Sequence, residues 1–139
     1  MTRQQRPVSS GRRLAVVAAV VMLVGCLLPW YTFAGDLPAS PFRAFDGSGI
    51  LVFAAALAIF ALVTLPSMAG DGAVGADRWL AYVLILGVAV LGAGVWPVGF
   101  LDALDGLRPD RAPGLWIALA GVFILALAAR RIALERPTR

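Results

Sequence analysis

The stretch LAVVAAVVMLVGCLLPWYTF, Leu14 to Phe33, runs for 20 residues without an Asp, Glu, Lys, Arg or His. A helix of that length spans about 30 Å, the thickness of a bilayer's hydrocarbon core. Three more runs of the same kind follow: Gly49–Met68 with 20 residues, Trp79–Phe100 with 22 and Pro113–Ala129 with 17. The last is short, but Arg130 and Arg131 can snorkel from its end, and Ile132–Leu134 can extend it along the interface. Every acid and every arginine lies between or outside these runs. The expected fold is therefore all-α: a four-transmembrane-helix bundle over residues 14–134, with a disordered segment 1–13 before it and a short tail 135–139 after it.

A hydrophobic content of 60% and a mean hydropathy of +0.86 place the chain far from soluble averages. Once the spans are removed, no remaining segment is long enough to build a core of its own, which argues against soluble-domain chemistry. The basic balance, pI about 10.6, does not point to nucleic acid, because the arginines gather at span ends and no groove-reading motif occurs. Arg3, Arg6, Arg12, Arg13, Arg78, Arg130, Arg131, Arg136 and Arg139 would share one side of the membrane, and Arg43, Arg108 and Arg111 the other. Excess arginine stays cytoplasmic, so both termini are expected in the cytoplasm and the two longer loops, 34–48 and 101–112, outside. The location expected is the plasma (inner) membrane of a bacterium.

Arg12-Arg13 before an apolar run resembles a secretory signal, but the run continues too far for a short signal core, so a retained span is expected. Leu23-Val24-Gly25-Cys26 also fits a lipobox, in which Cys26 would become a lipidated first residue. The apolar and aromatic residues after Cys26 favour an ordinary buried cysteine. As the sole cysteine it has no internal disulfide partner.

Pro29 has no N–H for the carbonyl of Gly25, which predicts a kink there, and Pro97 predicts another in the third span. Trp30, Tyr31, Trp96 and Trp116 fall near the outer boundary, and Trp79 and Tyr82 near the inner one, as interfacial anchors. Splayed outer ends at Pro29 and Pro97 would open an aromatic groove lined by Trp30, Tyr31, Trp96 and Trp116 and covered by Phe42, Phe45 and Leu104. Such a groove suits a lipid tail or a partner helix better than an ion. Ser48 is placed to cap the second span, Asp46 to favour its positive end, and Pro113 to open the fourth.

Helices in lipid associate through close backbone approach at small residues. Gly87, Gly92 and Gly94 make the third span the richest in such positions, and it is expected at the centre of the bundle or at a subunit contact. Gly121, with Gly114 and Ala118, marks the fourth span. Ala15/Ala19 and Ala54/Ala58 mark faces on the first two. An offset of 65 residues superposes Arg13 on Arg78, Arg43 on Arg108 and Gly49 on Gly114, the pattern a duplicated hairpin would leave.

There is no histidine, and a lone Cys26 and a lone Glu135 do not make a catalytic or metal cluster. No catalytic, cofactor-binding or metal residue is expected, and no cofactor. Gly70-Asp71-Gly72-Ala73-Val74-Gly75 copies a dinucleotide-loop spacing but follows a span rather than a strand. Leu28-Pro29-Trp30-Tyr31 after an arginine-rich leader resembles small four-span actinobacterial membrane proteins whose first helix ends in a Leu-Pro-Trp-aromatic cap. That resemblance implies no activity. Small multidrug transporters share the size, but no acid lies between Leu14 and Phe33 to match their intramembrane glutamate. The expected function is that of a non-enzymatic accessory, scaffold or envelope component. Its partners would be membrane lipid and a partner membrane protein or a second copy. The alternative is a small oligomeric transporter or channel.

Overall fold

A computed structural model of the chain describes residues 10–31, 42–68, 78–98 and 112–134. Four helices carry it: α1 (Ser10–Leu27), α2 (Ile50–Met68), α3 (Arg78–Val98) and α4 (Pro113–Leu134). Between α1 and α2 lie two short strands, β1 (Pro29–Tyr31) and β2 (Phe42–Arg43), and a 3₁₀ turn at Ala44–Asp46. The remaining segments, including most of the expected outer loop 101–112 and with it Leu104, lie outside the described residues.

The first apolar run does not stay helical to Phe33. The Leu28 N–H reaches the Val24 carbonyl at 3.3 Å, and the residue that would bond next is Pro29. Without an N–H there, α1 ends at Leu27 and the chain becomes extended. The expected kink at Pro29 is thus a helix end, and the all-helical fold gains a small antiparallel ladder of β1 with β2, irregular in register. At the other end α1 begins at Ser10, so Arg12 and Arg13 belong to its first turn rather than to a disordered leader.

α4 opens at Pro113, where a missing N–H costs nothing, and passes Arg130 and Arg131 to finish at Leu134. Its 22 residues and the 18 of α1 are long and apolar enough to cross a membrane. The apolar stretches Gly49–Thr64, which includes most of α2, and Trp79–Val95 of α3 are shorter. Pro97 falls inside α3 near its end; its side chain and that of Trp96 lie outside the described residues.

Each helix packs on its neighbour in sequence, and α4 closes the ring on α1. The α1/α4 seam is the most extensive in the bundle. It is antiparallel, because Gly11 lies against Ile132 while Gly25 lies against Ala118. Its contacts are made by small residues: Gly11 of α1 lies against Ala128 and Ile132 of α4, Ala18 and Met22 against Gly121, and Gly25 against Ala118. Short side chains let two backbones approach, and that supplies the dispersion contacts on which helix pairs in lipid depend.

α3 is not the centre of this bundle. Among its described side chains only Tyr82, Ala89, Gly92 and Ala93 are buried, and Leu80, Leu84, Val90, Leu91 and Val95 are exposed. Tyr82, expected as an interfacial anchor, is packed into the core instead.

Candidate functional site

The aromatic end of the bundle shows how the Leu28–Tyr31 motif works. Trp30 is fully buried, and its indole Nε1–H donates to the Gly25 carbonyl at 2.9 Å. That carbonyl is the one Pro29 leaves without its helical donor, so the ring both fills the core and closes the helix end. A methyl group added at Gly114 would lie 2.6–2.8 Å from the carbonyl oxygens of Leu28, Gly25 and Pro29, so α4 enters directly against this turn. Tyr31 is buried as well.

Trp30 and Tyr31 are therefore packed inside the fold and do not line an open groove. Of the other groove candidates, Trp116 is 48% exposed on α4 and Phe45 is 43% exposed in the 3₁₀ turn. The Phe45 ring meets Phe53 of α2 edge-on, with centroids 5.1 Å apart and planes at 69°. The side chains of Phe42 and Trp96, and the whole of Leu104, lie outside the described residues.

Two polar contacts depart from the sequence reading. The Ser48 hydroxyl donates to the Gly92 carbonyl of α3 at 2.9 Å instead of capping α2. Asp46 accepts the Arg43 backbone N–H at 2.8 Å, so it fastens the 3₁₀ turn. A methyl at Gly92 would stand 2.8 Å from Leu51 Cβ and 2.9 Å from the Ser48 carbonyl oxygen, so α2 and α3 touch backbone to backbone there.

Gly92 and Gly121 thus lie at helix contacts, whereas Gly87 and Gly94 have nothing among the described residues within 4 Å of an added methyl and are exposed. Gly11 and Gly25, on the α1/α4 seam, were missed; their signal was spacing, since Gly11, Ala15, Ala18, Met22 and Gly25 repeat at three or four residues on one face. Ala54 is exposed, and Ala55, Ala56 and Ile59 form the buried stripe of α2.

Over 119 residues, 84% of this chain and 90% of its relative, the sequence is 37% identical to a UPF0060 membrane protein of Paracidovorax citrulli (strain AAC00-1). A second UPF0060 membrane protein, from Chromobacterium violaceum, is 36% identical over 124 residues, covering 84% of this chain and 88% of its own length. The chain belongs to the UPF0060 membrane protein family. It is a membrane protein, and its apolar helices are the membrane-seeking part of the fold. Both relatives are proteobacterial, so they lend nothing to the resemblance to actinobacterial proteins or to its four-residue motif. No family model and no solved structure matches the chain.

The grooves of this UPF0060 chain on α2 and α3 are apolar. A groove of about 360 Å³ runs beside Val90, Leu91, Gly94 and Val95 on α3. A second, of about 250 Å³, lies between Ala54, Ala55 and Ala58 of α2 and Leu84, Ile85 and Val88 of α3. Neither has an ionisable residue among the described residues lining it. Among the described residues no three His, Cys, Asp or Glu side chains come together. Cys26 is fully buried in the core near the end of α1.

Proposed function

We propose that this UPF0060 protein is a non-enzymatic, four-span component of a bacterial inner membrane that works by contact with lipid and with another membrane helix. Both termini are assigned to the cytoplasm. The observation that carries the contact role is the outward face of α3. Gly87 and Gly94 stand seven residues apart on it, with nothing among the described residues within 4 Å of an added methyl, between the exposed Leu84, Leu91 and Val95. In hydrocarbon a bare glycine backbone makes fewer dispersion contacts than a leucine, so an open glycine face gains from a close-packed helix.

Cysteine scanning tests this reading. With Cys26→Ala as background, Gly87→Cys and Gly94→Cys should form crosslinks in native membranes, to a second copy or to a co-purifying protein. Cys introduced at Val17, exposed on α1, should not. Equal reactivity at all three positions, without any adduct, would remove the partner role.

The transporter or channel alternative keeps one supporting observation, that the same α3 face would place a second copy's helix beside it. The apolar grooves offer no charge to a substrate, so the accessory reading comes first. Proton- or ion-coupled flux in reconstituted vesicles would reverse that order.

A further inference from the structure

The tightest seam of the bundle gathers positive charge at one end. Gly11 packs against Ile132, where an added methyl would be 2.7 Å from Ile132 Cγ1 and 3.3 Å from its backbone nitrogen. The contact brings Arg12 and Arg13 of α1 level with Arg130 and Arg131 of α4, although more than a hundred residues separate them in sequence. All four arginines are exposed. The only acid among the described residues, Asp46, belongs to the other end of the bundle, where it is bonded to Arg43.

Two physical costs follow. Four like charges on two helices in backbone contact repel one another. Arg12 and Arg13 also occupy the first turn of α1, which holds no acid, and there the helix dipole disfavours cations. Only the α4 pair, in or next to that helix's last turn, is favoured by its own dipole. Water screens such repulsion poorly at the edge of hydrocarbon, whereas a layer of phosphate offsets it.

We propose that this arginine end is a docking surface for anionic phospholipid headgroups. Adjacent positions on a helix point about 100° apart, so with Gly11 and Ile132 facing each other, Arg12 and Arg131 fall on opposite flanks of the seam. Arg13 and Arg130 fall toward the far sides of their helices. The charges ring the pair rather than converge, a layout that fits several lipid phosphates around the helix ends better than one small anion. Guanidinium groups suit the purpose, since each presents a planar fork of donors to phosphate oxygens. The lipids then hold together the ends that like charge would separate.

The proposal rests on the helices crossing the membrane, but not on the assignment of a partner to α3. The full chain, reconstituted in phosphatidylcholine, is tested with spin-labelled phosphatidylglycerol and spin-labelled phosphatidylcholine as probes. Selectivity for the anionic label is expected, and roughly fivefold should be lost at most for each arginine removed. Arg12→Gln with Arg131→Gln, and the fourfold variant adding Arg13→Gln and Arg130→Gln, should lower it stepwise toward parity. Arg43→Gln, at the other end, should leave it unchanged. Far-UV circular dichroism verifies that each variant is folded, and the double variant serves should the fourfold one not fold. Equal association of both labels with the unmodified chain, or unchanged selectivity in the folded double variant, overturns the proposal. Loss of the selectivity to inorganic phosphate, but not to sodium chloride of equal ionic strength, would make this a small-anion site and also overturn it. Failure of both labels to associate would instead overturn the membrane-spanning reading.

Discussion

At the scale of single residues, the Gly25 carbonyl is the point on which the aromatic end turns. Proline removes its helical donor and tryptophan restores one, so Pro29 and Trp30 act as a pair. Trp30→Phe keeps most of the ring but leaves that buried carbonyl without the indole donor. The expected loss is about 1–3 kcal/mol, read from unfolding in mixed micelles; a variant as stable as the parent would show the bond to be dispensable. Glycines give a second, opposed pair of outcomes. An added methyl at Gly25 would meet Ala118 backbone nitrogen at 2.5 Å and its Cα at 2.8 Å, and backbone cannot rotate away. Gly25→Ala should therefore cost roughly 1–3 kcal/mol by overpacking. Gly94→Ala enters open space and should stay within about 0.5 kcal/mol in the dispersed protein. Equal effects at both positions would contradict the placement of the α1/α4 seam.

At the scale of elements, the α1/α4 pair dominates, and it bears on the lipobox at Leu23–Cys26. Cleavage before Cys26 would remove nearly all of α1 and strip α4 of its most extensive contact. The full-length chain should accordingly keep its mass in the cell, and Cys26→Ala should change stability little because the side chain is small and packed. A diacylglycerol adduct on a chain beginning at Cys26, found by mass spectrometry, would contradict both. The existence of four helices was legible because uncharged runs of this length have few other uses. Their ends were less so. Where α1 stops depends on a donor from Trp30 that only the folded turn supplies, whereas the end of α4 at Leu134 was legible, because arginine side chains that snorkel leave Ile132–Leu134 free to continue the helix. Facing was the hardest to read. Gly87 and Gly94 share one side of α3, while Ala89, Gly92 and Ala93 lie on the side that meets the bundle, and composition alone does not choose between them. Two of the groove candidates, Trp30 and Tyr31, are buried for a related reason: an aromatic after a span reads as an anchor, whereas Trp30 is turned inward by a hydrogen bond made within five residues of chain.

At the scale of the whole molecule, the fold adds an independent element to the orientation argument. Sequence alone groups the arginines by counting loops, which fails if a span is miscounted. The Gly11–Ile132 contact places Arg12, Arg13, Arg130 and Arg131 at one end through packing, with no reference to the loops between. Arg43 and Asp46, side by side near the start of α2, leave the opposite end close to neutral among the described residues. Arginine close to a helix end is retained on the cytoplasmic side, while segments with fewer basic residues pass outward. A reporter active only outside the cytoplasm should thus be silent when fused after Arg139 and active when inserted near Ala39. Replacing Arg12, Arg13, Arg130 and Arg131 by glutamine together should weaken this preference and yield a mixed population, since Arg3, Arg6, Arg78, Arg136 and Arg139 remain. A parent chain active only after Arg139 would invert the assigned topology. Activity at both sites in the parent would mean dual insertion, for which copies of opposite orientation could pair through the same open α3 face.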